Sequence, residues 1–181
     1  DPDIKITAER GKSFTIDSLT CTKLRALPCV AVASIAVEDK AMAQYNGRQV
    51  MIVLKGVEDN FTALTNIEAA LVGNGSFTLQ DSINSYAVPG IGLVSSLNSG
   101  IYHVAPLEIF APKRRSKVSM SNPASNFKKG FLHSSGVTFI MNQPKYDDHY
   151  ILTSAKFARN ILGRKPNEAT SIEIKLNDGY N

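Results

Sequence analysis

Residues 30–57 read VAVASIAVEDKAMAQYNGRQVMIVLKGV, and this stretch determines what the rest of the chain can pack against. Two apolar runs, 30–37 and 50–54, flank the turn sequence Tyr45-Asn46-Gly47-Arg48. Asn-Gly favours a type I′ turn, because both central residues of that turn have a positive φ. The stretch therefore predicts a long antiparallel β-hairpin, and we expect this hairpin to be the spine on which the helices lie.

The turn also predicts which residues face each other across the hairpin. The expected pairs are Ala43–Val50, Met42–Met51, Ala41–Ile52 and Glu38–Lys55. The last pair places opposite charges across the ladder, which stabilises it by roughly 0.2–1 kcal/mol. Val50, Ile52 and Leu54 share a face that we expect to be buried. Asp39 would fall opposite Leu54 on that face, which predicts a bulge or a strand end there.

The length and composition are those of an ordinary globular protein. The chain has 181 residues, of which 43% are hydrophobic and 20% charged, enough for one large domain or two small lobes. The sequence has no run of about 18 apolar residues, which would predict a membrane span. It also has no basic segment followed by an apolar core, which would predict a signal peptide. The first residues are Asp1-Pro2-Asp3 without Met, so we expect a mature or excised fragment.

One dense basic run occurs, Lys113-Arg114-Arg115-Ser116-Lys117, in a chain of net charge +4. A short basic cluster without interleaved aromatic residues is weak evidence for a nucleic-acid or anionic-lipid site, and a solvated loop is the favoured interpretation. We therefore expect no nucleic-acid partner. The candidate partner-binding residues that the sequence supplies are Lys113, Arg114, Arg115 and Lys117.

The two cysteines, Cys21 and Cys29, leave two interpretations open. A disulfide between them is possible in an oxidising compartment, and two free thiols are the alternative. A zinc site is not expected, because two Cys without a nearby pair of His rarely make one.

Periodicity and capping signals predict an alternation of helices and strands. The expected strands, besides the hairpin, are residues 4–7, 77–79, 107–110, 137–141 and 170–176. The expected helices are 17–27 with Asp17 as N-cap, a short one opening at 59–61, 65–73 with a Thr65/Glu68 capping box, one between Pro89 and Gly100, and 154–162. Residues 116–129 are polar and predict an exposed excursion. Within the fourth helix, Gly90-Ile91-Gly92 indicates tight packing rather than a phosphate loop.

The sequence offers little for catalysis. Tyr146-Asp147-Asp148-His149-Tyr150 could supply a metal or acid/base site, but a surface turn is the favoured interpretation, because adjacent strand residues point to opposite faces. His103, His133 and His149 lack the spacing of a metal site, and the serine pairs 95–96 and 134–135 lack a nucleophile signature. We expect no catalytic, cofactor or metal site. A secreted hydrolase that uses Asp147, His149 or His103 is the alternative.

Five stretches, read in order, resemble a known family. They are 24–34 (LRALPCVAVAS), 47–61 (GRQVMIVLKGVEDNF), 86–93 (YAVPGIGL), 106–114 (PLEIFAPKR) and 146–159 (YDDHYILTSAKFAR). In this order and spacing they are similar to the extracytoplasmic domain of FtsX-like ABC-transporter permeases, above all the lipoprotein-releasing (LolC/LolE) type of Bacteroidetes, which is related to the macrolide-exporter permease MacB. The resemblance covers nearly the whole chain.

The resemblance implies an α+β fold in two lobes. A porter-like lobe of βαβ units with the long β-ribbon would contain residues 1–72 and 150–181, and an inserted, mostly β smaller lobe would contain residues 73–149. The domain would lie on the periplasmic side of the inner membrane, between two membrane helices, so its ends should lie close together. Two features depart from the family: Cys29 replaces the usual glycine after Pro28, and the chain stops at Asn181 before an expected further helix and strand, so the porter-like lobe would be truncated.

The resemblance also implies a function without catalysis. ATP would be hydrolysed by a separate cytoplasmic subunit, and this domain would transmit the nucleotide cycle as a rigid-body movement. The implied partners are that ATPase, a second permease subunit, and a periplasmic lipoprotein, carrier or adaptor, with no cofactor. The same architecture could instead serve drug or peptide export, or the regulation of cell-wall hydrolases.

Overall fold

The computed structural model of the chain describes residues 1–114 and 117–180, which form twelve strands and five α-helices. In chain order the strands are β1 (Ile4–Thr7), β2 (Phe14–Thr15), β3 (Val30–Tyr45), β4 (Arg48–Val57), β5 (Leu71–Gly73), β6 (Tyr86–Pro89), β7 (Leu107–Pro112), β8 (Phe127–Ser134), β9 (Val137–Phe139), β10 (Tyr150–Ser154), β11 (Glu168–Ala169) and β12 (Ser171–Leu176). The helices are α1 (Ser18–Arg25), α2 (Phe61–Leu64), α3 (Ile91–Leu97), α4 (Pro144–Asp147) and α5 (Ala155–Ile161). This mixture confirms the predicted α+β class.

The β3–β4 hairpin forms as predicted. Asn46 and Gly47 have φ values of 46° and 79°, as a type I′ turn requires. All the expected pairs occur: Ala43–Val50, Met42–Met51, Ala41–Ile52 and Glu38–Lys55. A two-residue turn therefore fixes the register of a ribbon whose first strand has 16 residues.

The predicted bulge at Asp39 was wrong. Asp39 stays in regular register opposite Leu54, on the face that carries the core residues. Its carboxylate lies 2.9 Å from Lys12 Nζ and 3.6 Å from Arg164 Nη2. These two cations compensate the carboxylate, so the strand need not distort to move it into water.

Eight strands form one sheet, and six of them close into a ring. The strand order is β1-β12-β3-β4-β10-β6-β8-β7, and β7 also pairs with β3. Closure is possible because β3 is long: residues 30–36 pair with β12, and residues 42–44 pair with β7 on the same edge. β1 lies at the open edge of this sheet, paired with β12 among the strands that the structure describes. Strands from both predicted lobes share the sheet, and the division into lobes stays a prediction.

The interior of the ring holds the main core. Alternate residues of β3 and β4 point inward, so Ala41, Ala43, Ile52 and Leu54 are at most 2% exposed. Helix α5 packs against them, and Gly56 allows the close approach, because a Cβ there would meet Ala158 and the helix backbone. Two smaller clusters lie outside the ring, one around Phe61, Val88 and Leu152 and one around Ile16, Ile172 and Ile174.

The predicted helices that correspond to α1, α2, α3 and α5 are present. Asp17 caps α1 by accepting a hydrogen bond from Thr20 N, and Ser154 caps α5 by accepting one from Phe157 N. The predicted stripes of α3 and α5 are buried. The stripe of α1 is only partly used, because Leu19 and Leu27 are 61% and 46% exposed. None of the helices in the described residues is long and apolar enough to cross a membrane.

Two element predictions were wrong, and a third was wrong only at its end. Residues 65–73 form one 3-10 turn, Ile67–Ala70, and then β5, because Leu71–Gly73 pair with β9 and this pairing ends the helix. Thr65 instead donates from its hydroxyl to Phe61 O. Residues 77–79 are not a strand, and Phe77 stacks on Phe61. Of the predicted exposed excursion 116–129, Ser116 lies outside the described residues, residues 117–126 contain no strand and are mostly exposed, and the last three residues are the start of β8, which pairs with β7 over six residues.

The two ends of the described chain lie side by side, as predicted. β1 runs antiparallel to β12, with Ile4 opposite Ile174. Asp3 N donates to Ile174 O at 3.0 Å, and Leu176 N donates to an Asp3 carboxylate oxygen at 2.8 Å. The chain therefore enters and leaves the fold at the same edge of the sheet.

Candidate functional site

A charged cleft lies beside the chain ends. It encloses about 330 Å³ and is lined by side chains from β1, β3, β4, β10 and β12, with residues 139–146 forming the opposite wall. Lys5 faces Glu173 across one ladder, and Glu38 faces Lys55 across another. Directly paired residues share a face of the sheet, so these four charges point into one space.

The four charges form one connected network. Lys55 Nζ lies 2.6 Å from Glu173 Oε1, and Lys5 Nζ lies 3.7 Å from the same oxygen. Lys5 Nζ is also 3.5 Å from Glu38 Oε1. The side chains of Glu173 and Lys55 are only 3% and 13% exposed, so their attraction is little screened by solvent. The network joins the strands that carry the chain ends to the β3–β4 ribbon.

Aromatic side chains form the apolar wall of the cleft. The rings of Tyr146 and Tyr150 meet edge to face at 5.2 Å, and Lys55 Nζ lies 5.6 Å from the centre of the Phe61 ring. Burial, and then the neighbouring Glu38 carboxylate, raise the pKa of Tyr150 to about 12. Tyr150 therefore stays a neutral hydrogen-bond donor beside two carboxylates. One of those carboxylates, Glu38, has a buried Oε2 without a hydrogen-bond donor in the described residues.

Sequence reasoning predicted only half of this cleft. The Glu38–Lys55 pairing followed from the hairpin register, yet Lys55 Nζ lies 4.0 Å from Glu38 and 2.6 Å from Glu173. In the predicted strand 170–176 Glu173 alternates with Ile172 and Ile174, as in a half-buried strand with one polar face, whereas Glu173 is 2% exposed. The burial of Glu173 depends on tertiary structure, which the sequence pattern does not show. Its side chain lies on the opposite face of the strand from Ile172 and Ile174, and the cluster around Phe61 covers that face.

The predicted basic run does not act as one cluster. Arg114 Nη1 lies 3.7 Å from Glu168 Oε2 and donates to Gly163 O at 3.5 Å. Lys113 and Lys117 are exposed, and Arg115 lies outside the described residues. Within the part of the run that the structure describes, Arg114 is therefore held by Glu168 and Gly163, while Lys113 and Lys117 point into solvent. Its role in partner binding stays a prediction.

The residues considered for catalysis have separate structural roles. Asp147 is buried and accepts hydrogen bonds from Met141 N at 2.8 Å and Gln143 N at 3.1 Å, which fixes the turn before α4. His103 pairs through Nδ1 with Ala105 O at 2.7 Å, and burial lowers its pKa. His149 is exposed. Residues 1–114 and 117–180 contain no group of three His, Cys, Asp or Glu side chains that could hold a metal ion.

The remaining candidate residues are also accounted for structurally. Ser134 and Ser135 donate to backbone oxygens of Ile101 and Ala87, both at 2.7 Å. Gly90 and Gly92 let the start of α3 pack directly against Asp147 and Asp148, as the packing interpretation predicted. Cys21 and Cys29 are free thiols in the structure, and burial raises the pKa of Cys21.

Comparison with known proteins identifies the fold. No family model matches the chain, and no curated protein matches it in sequence. Among solved structures, the extracellular domain of the noncanonic ABC-type transporter YknZ from Gram-positive bacteria is similar, with a TM-score of 0.57 and 10% identity. The match covers 94% of this chain and 76% of that chain. The chain therefore has the fold of the extracellular domain of an ABC-type transporter.

Proposed function

We propose that this chain is the extracytoplasmic domain of an ABC-transporter permease subunit, of the lipoprotein-releasing type. It couples ATP hydrolysis by a cytoplasmic subunit to the handling of a lipoprotein at the periplasmic face of the inner membrane. The observation that carries the proposal is the fold, which matches a transporter ectodomain over 94% of the chain. The ordered set of motifs between residues 24 and 159 supports the lipoprotein-releasing branch.

The position of the chain ends supports insertion between two membrane helices. Asp3 and Leu176 are hydrogen-bonded to each other at 2.8 Å, so two flanking helices can enter the membrane next to each other. A movement of those helices would act first on β1 and β12. The ion pairs of Lys5 and Lys55 with Glu173 link these strands to β3 and β4, so the movement would pass to the ribbon as that of one rigid body.

Affinity purification of the membrane protein tests the permease role. The full-length gene is expressed with a tag, and the membranes are solubilised and purified. We expect about 20 apolar residues on each side of the present sequence, as a membrane helix needs. We also expect an ATPase subunit to copurify. Absence of both would overturn the proposal.

Site-specific photo-crosslinking in intact cells tests the cargo. A photoreactive residue at Tyr146, in the cleft wall, should capture lipoproteins. The matched control is the same residue at Leu19, which is 61% exposed on α1. Capture of lipoproteins from both positions, or from neither, would contradict lipoprotein release. Capture of an export adaptor or a cell-wall hydrolase would instead assign the fold to one of those tasks.

A further inference from the structure

A second cavity, lined by basic residues, lies beside β3 between its segment paired with β12 and its segment paired with β7. Residues 37–41 of β3 lie between the segment paired with β12 and the segment paired with β7. Thr170 Oγ1 accepts from Glu38 N at 2.9 Å, and an Asp39 carboxylate oxygen accepts from Lys40 N at 2.8 Å. These two contacts satisfy the free backbone donors and leave a cavity of about 440 Å³ beside the strand.

The lining of this cavity has an excess of positive charge. Four basic residues and one acidic residue line it: Lys12, Lys40, Arg114, Arg164 and Asp39. Asp39 lies 2.9 Å from Lys12 Nζ and 3.6 Å from Arg164 Nη2, so one carboxylate serves two cations. Glu168, outside the lining, lies 3.7 Å from Arg114. Lys40 is exposed and has no carboxylate partner in the part of the chain that the structure describes.

Arg164 is the unusual member of the group. Its side chain is 1% exposed. Nη1 donates to Ser13 Oγ, but Nε is buried and has no hydrogen-bond partner in the described residues. A guanidinium has five N–H donors, and leaving a buried one unpaired costs about 1–3 kcal/mol. Burial, and then the nearby Arg114, lower the pKa of Arg164.

We propose that this cavity binds a phosphate group, with Arg164 at its base and Lys40 and Arg114 at its rim. A phosphate has acceptor oxygens in several directions and so fits donors from different parts of the chain. Arginine pairs with phosphate through short charge-assisted hydrogen bonds. A bound phosphate would supply negative charge to Arg164, which shares the carboxylate of Asp39 with Lys12. The site goes beyond the proposed transport function and does not depend on it.

Isothermal titration of the protein with inorganic phosphate, at constant ionic strength, tests the site. Each lost charge-assisted hydrogen bond should weaken binding by about tenfold or more. Arg164→Lys keeps the charge but removes the planar donor group, and circular dichroism verifies its fold. Arg114→Gln and Lys40→Gln alter partly or fully exposed side chains and should fold normally. Lys113→Gln is the control, because Lys113 neighbours Arg114 in sequence but does not line the cavity.

Each result decides the proposal. It is supported if the three cavity variants weaken phosphate binding and Lys113→Gln changes the dissociation constant less than twofold. Absence of phosphate binding to the unsubstituted protein would overturn it, as would equal weakening by Lys113→Gln. Equal binding of acetate would overturn phosphate as the ligand. Glycerol 3-phosphate distinguishes the source: tighter binding than inorganic phosphate indicates an ester, and weaker binding indicates the free anion.

Discussion

Glu173 shows how much a single buried charge can depend on its partners. Removal of one partner from a buried ion pair costs about 3–5 kcal/mol, because the other charge stays buried without compensation. We therefore expect Glu173→Gln to lower the free energy of unfolding by about 3 kcal/mol, since Lys55 is only 13% exposed. Urea denaturation followed by circular dichroism measures the change.

An exposed ion pair provides the matched control. Glu108 and Lys129 lie 2.8 Å apart, but their side chains are 30% and 43% exposed, so Glu108→Gln should cost less than about 1 kcal/mol. The double variant Glu173→Gln, Lys55→Gln should recover part of the loss, because no uncompensated charge remains. Equal effects of Glu173→Gln and Glu108→Gln would refute the importance of the buried network.

Tyr150 gives a pH dependence at the alkaline end. Its folded pKa of about 12 lies above the ordinary value of 10, so the folded state favours the neutral phenol. The resulting stability is fully present below pH 10 and is lost as the pH rises from 10 towards 12. Tyr150→Phe should remove this loss while it preserves the ring contact with Tyr146. Thermal melts of both proteins at pH 9 and pH 11 measure the difference; parallel declines would contradict the raised pKa.

At the scale of elements, α5 depends on two glycines in different strands. A Cβ at Gly56 would meet the Ala158 Cβ and the backbone of residues 154 and 155, whereas a Cβ at Gly130 would meet only the ends of the Ile161 and Phe157 side chains. The backbone near Gly56 cannot move without displacing α5, whereas the side-chain ends near Gly130 can rotate away from a new methyl group. We therefore expect Gly56→Ala to destabilise the protein by about 3 kcal/mol and Gly130→Ala by about 1 kcal/mol. Chemical denaturation of the two variants compares them directly, and the reverse order would refute this packing.

The same elements explain what the sequence could and could not predict. The hairpin, α3 and α5 were predicted because local signals sufficed: an Asn-Gly turn and apolar stripes. β8 was missed because its sequence, FKKGFLHS, contains two lysines and a glycine. Its pairing with β7 makes it a strand, and the packing of α5 against Gly130 explains the glycine. The helix predicted over 65–73 failed for a similar reason, because pairing with β9 overrides a capping signal.

The candidate sites were less predictable than the elements. The charged cleft and the basic cavity bring together residues that are far apart in sequence, such as Lys12 with Arg164 and Lys55 with Glu173. Arg114 was singled out for its place in a basic run, yet its partner Glu168 is on β11. The basic run in the sequence singled out Arg114. Which side chains surround Arg114 is determined only when the six strands close into a ring.

At the scale of the whole molecule, the ends and the hairpin turn should be far apart. Leu176 pairs with Val30 at the start of β3, and the turn follows Tyr45 at its end, at most about 50 Å along the strand. Spin labels at Asp1 and Asp178 should therefore give a short electron–electron distance, and labels at Asn46 and Asp178 a clearly longer one. Pulsed dipolar spectroscopy measures both. Equal distances would contradict the arrangement on which the membrane orientation is based.

The closure of six strands has a consequence for self-association. A strand that bonds on both sides cannot recruit another chain, so among the strands that the structure describes the outer side of β1 is the open edge of the large sheet. If two molecules met there in an antiparallel register centred on Lys5, their ammonium groups would face each other. Like charges directly opposite each other disfavour such a ladder. Lys5 therefore disfavours that register of sheet-to-sheet association.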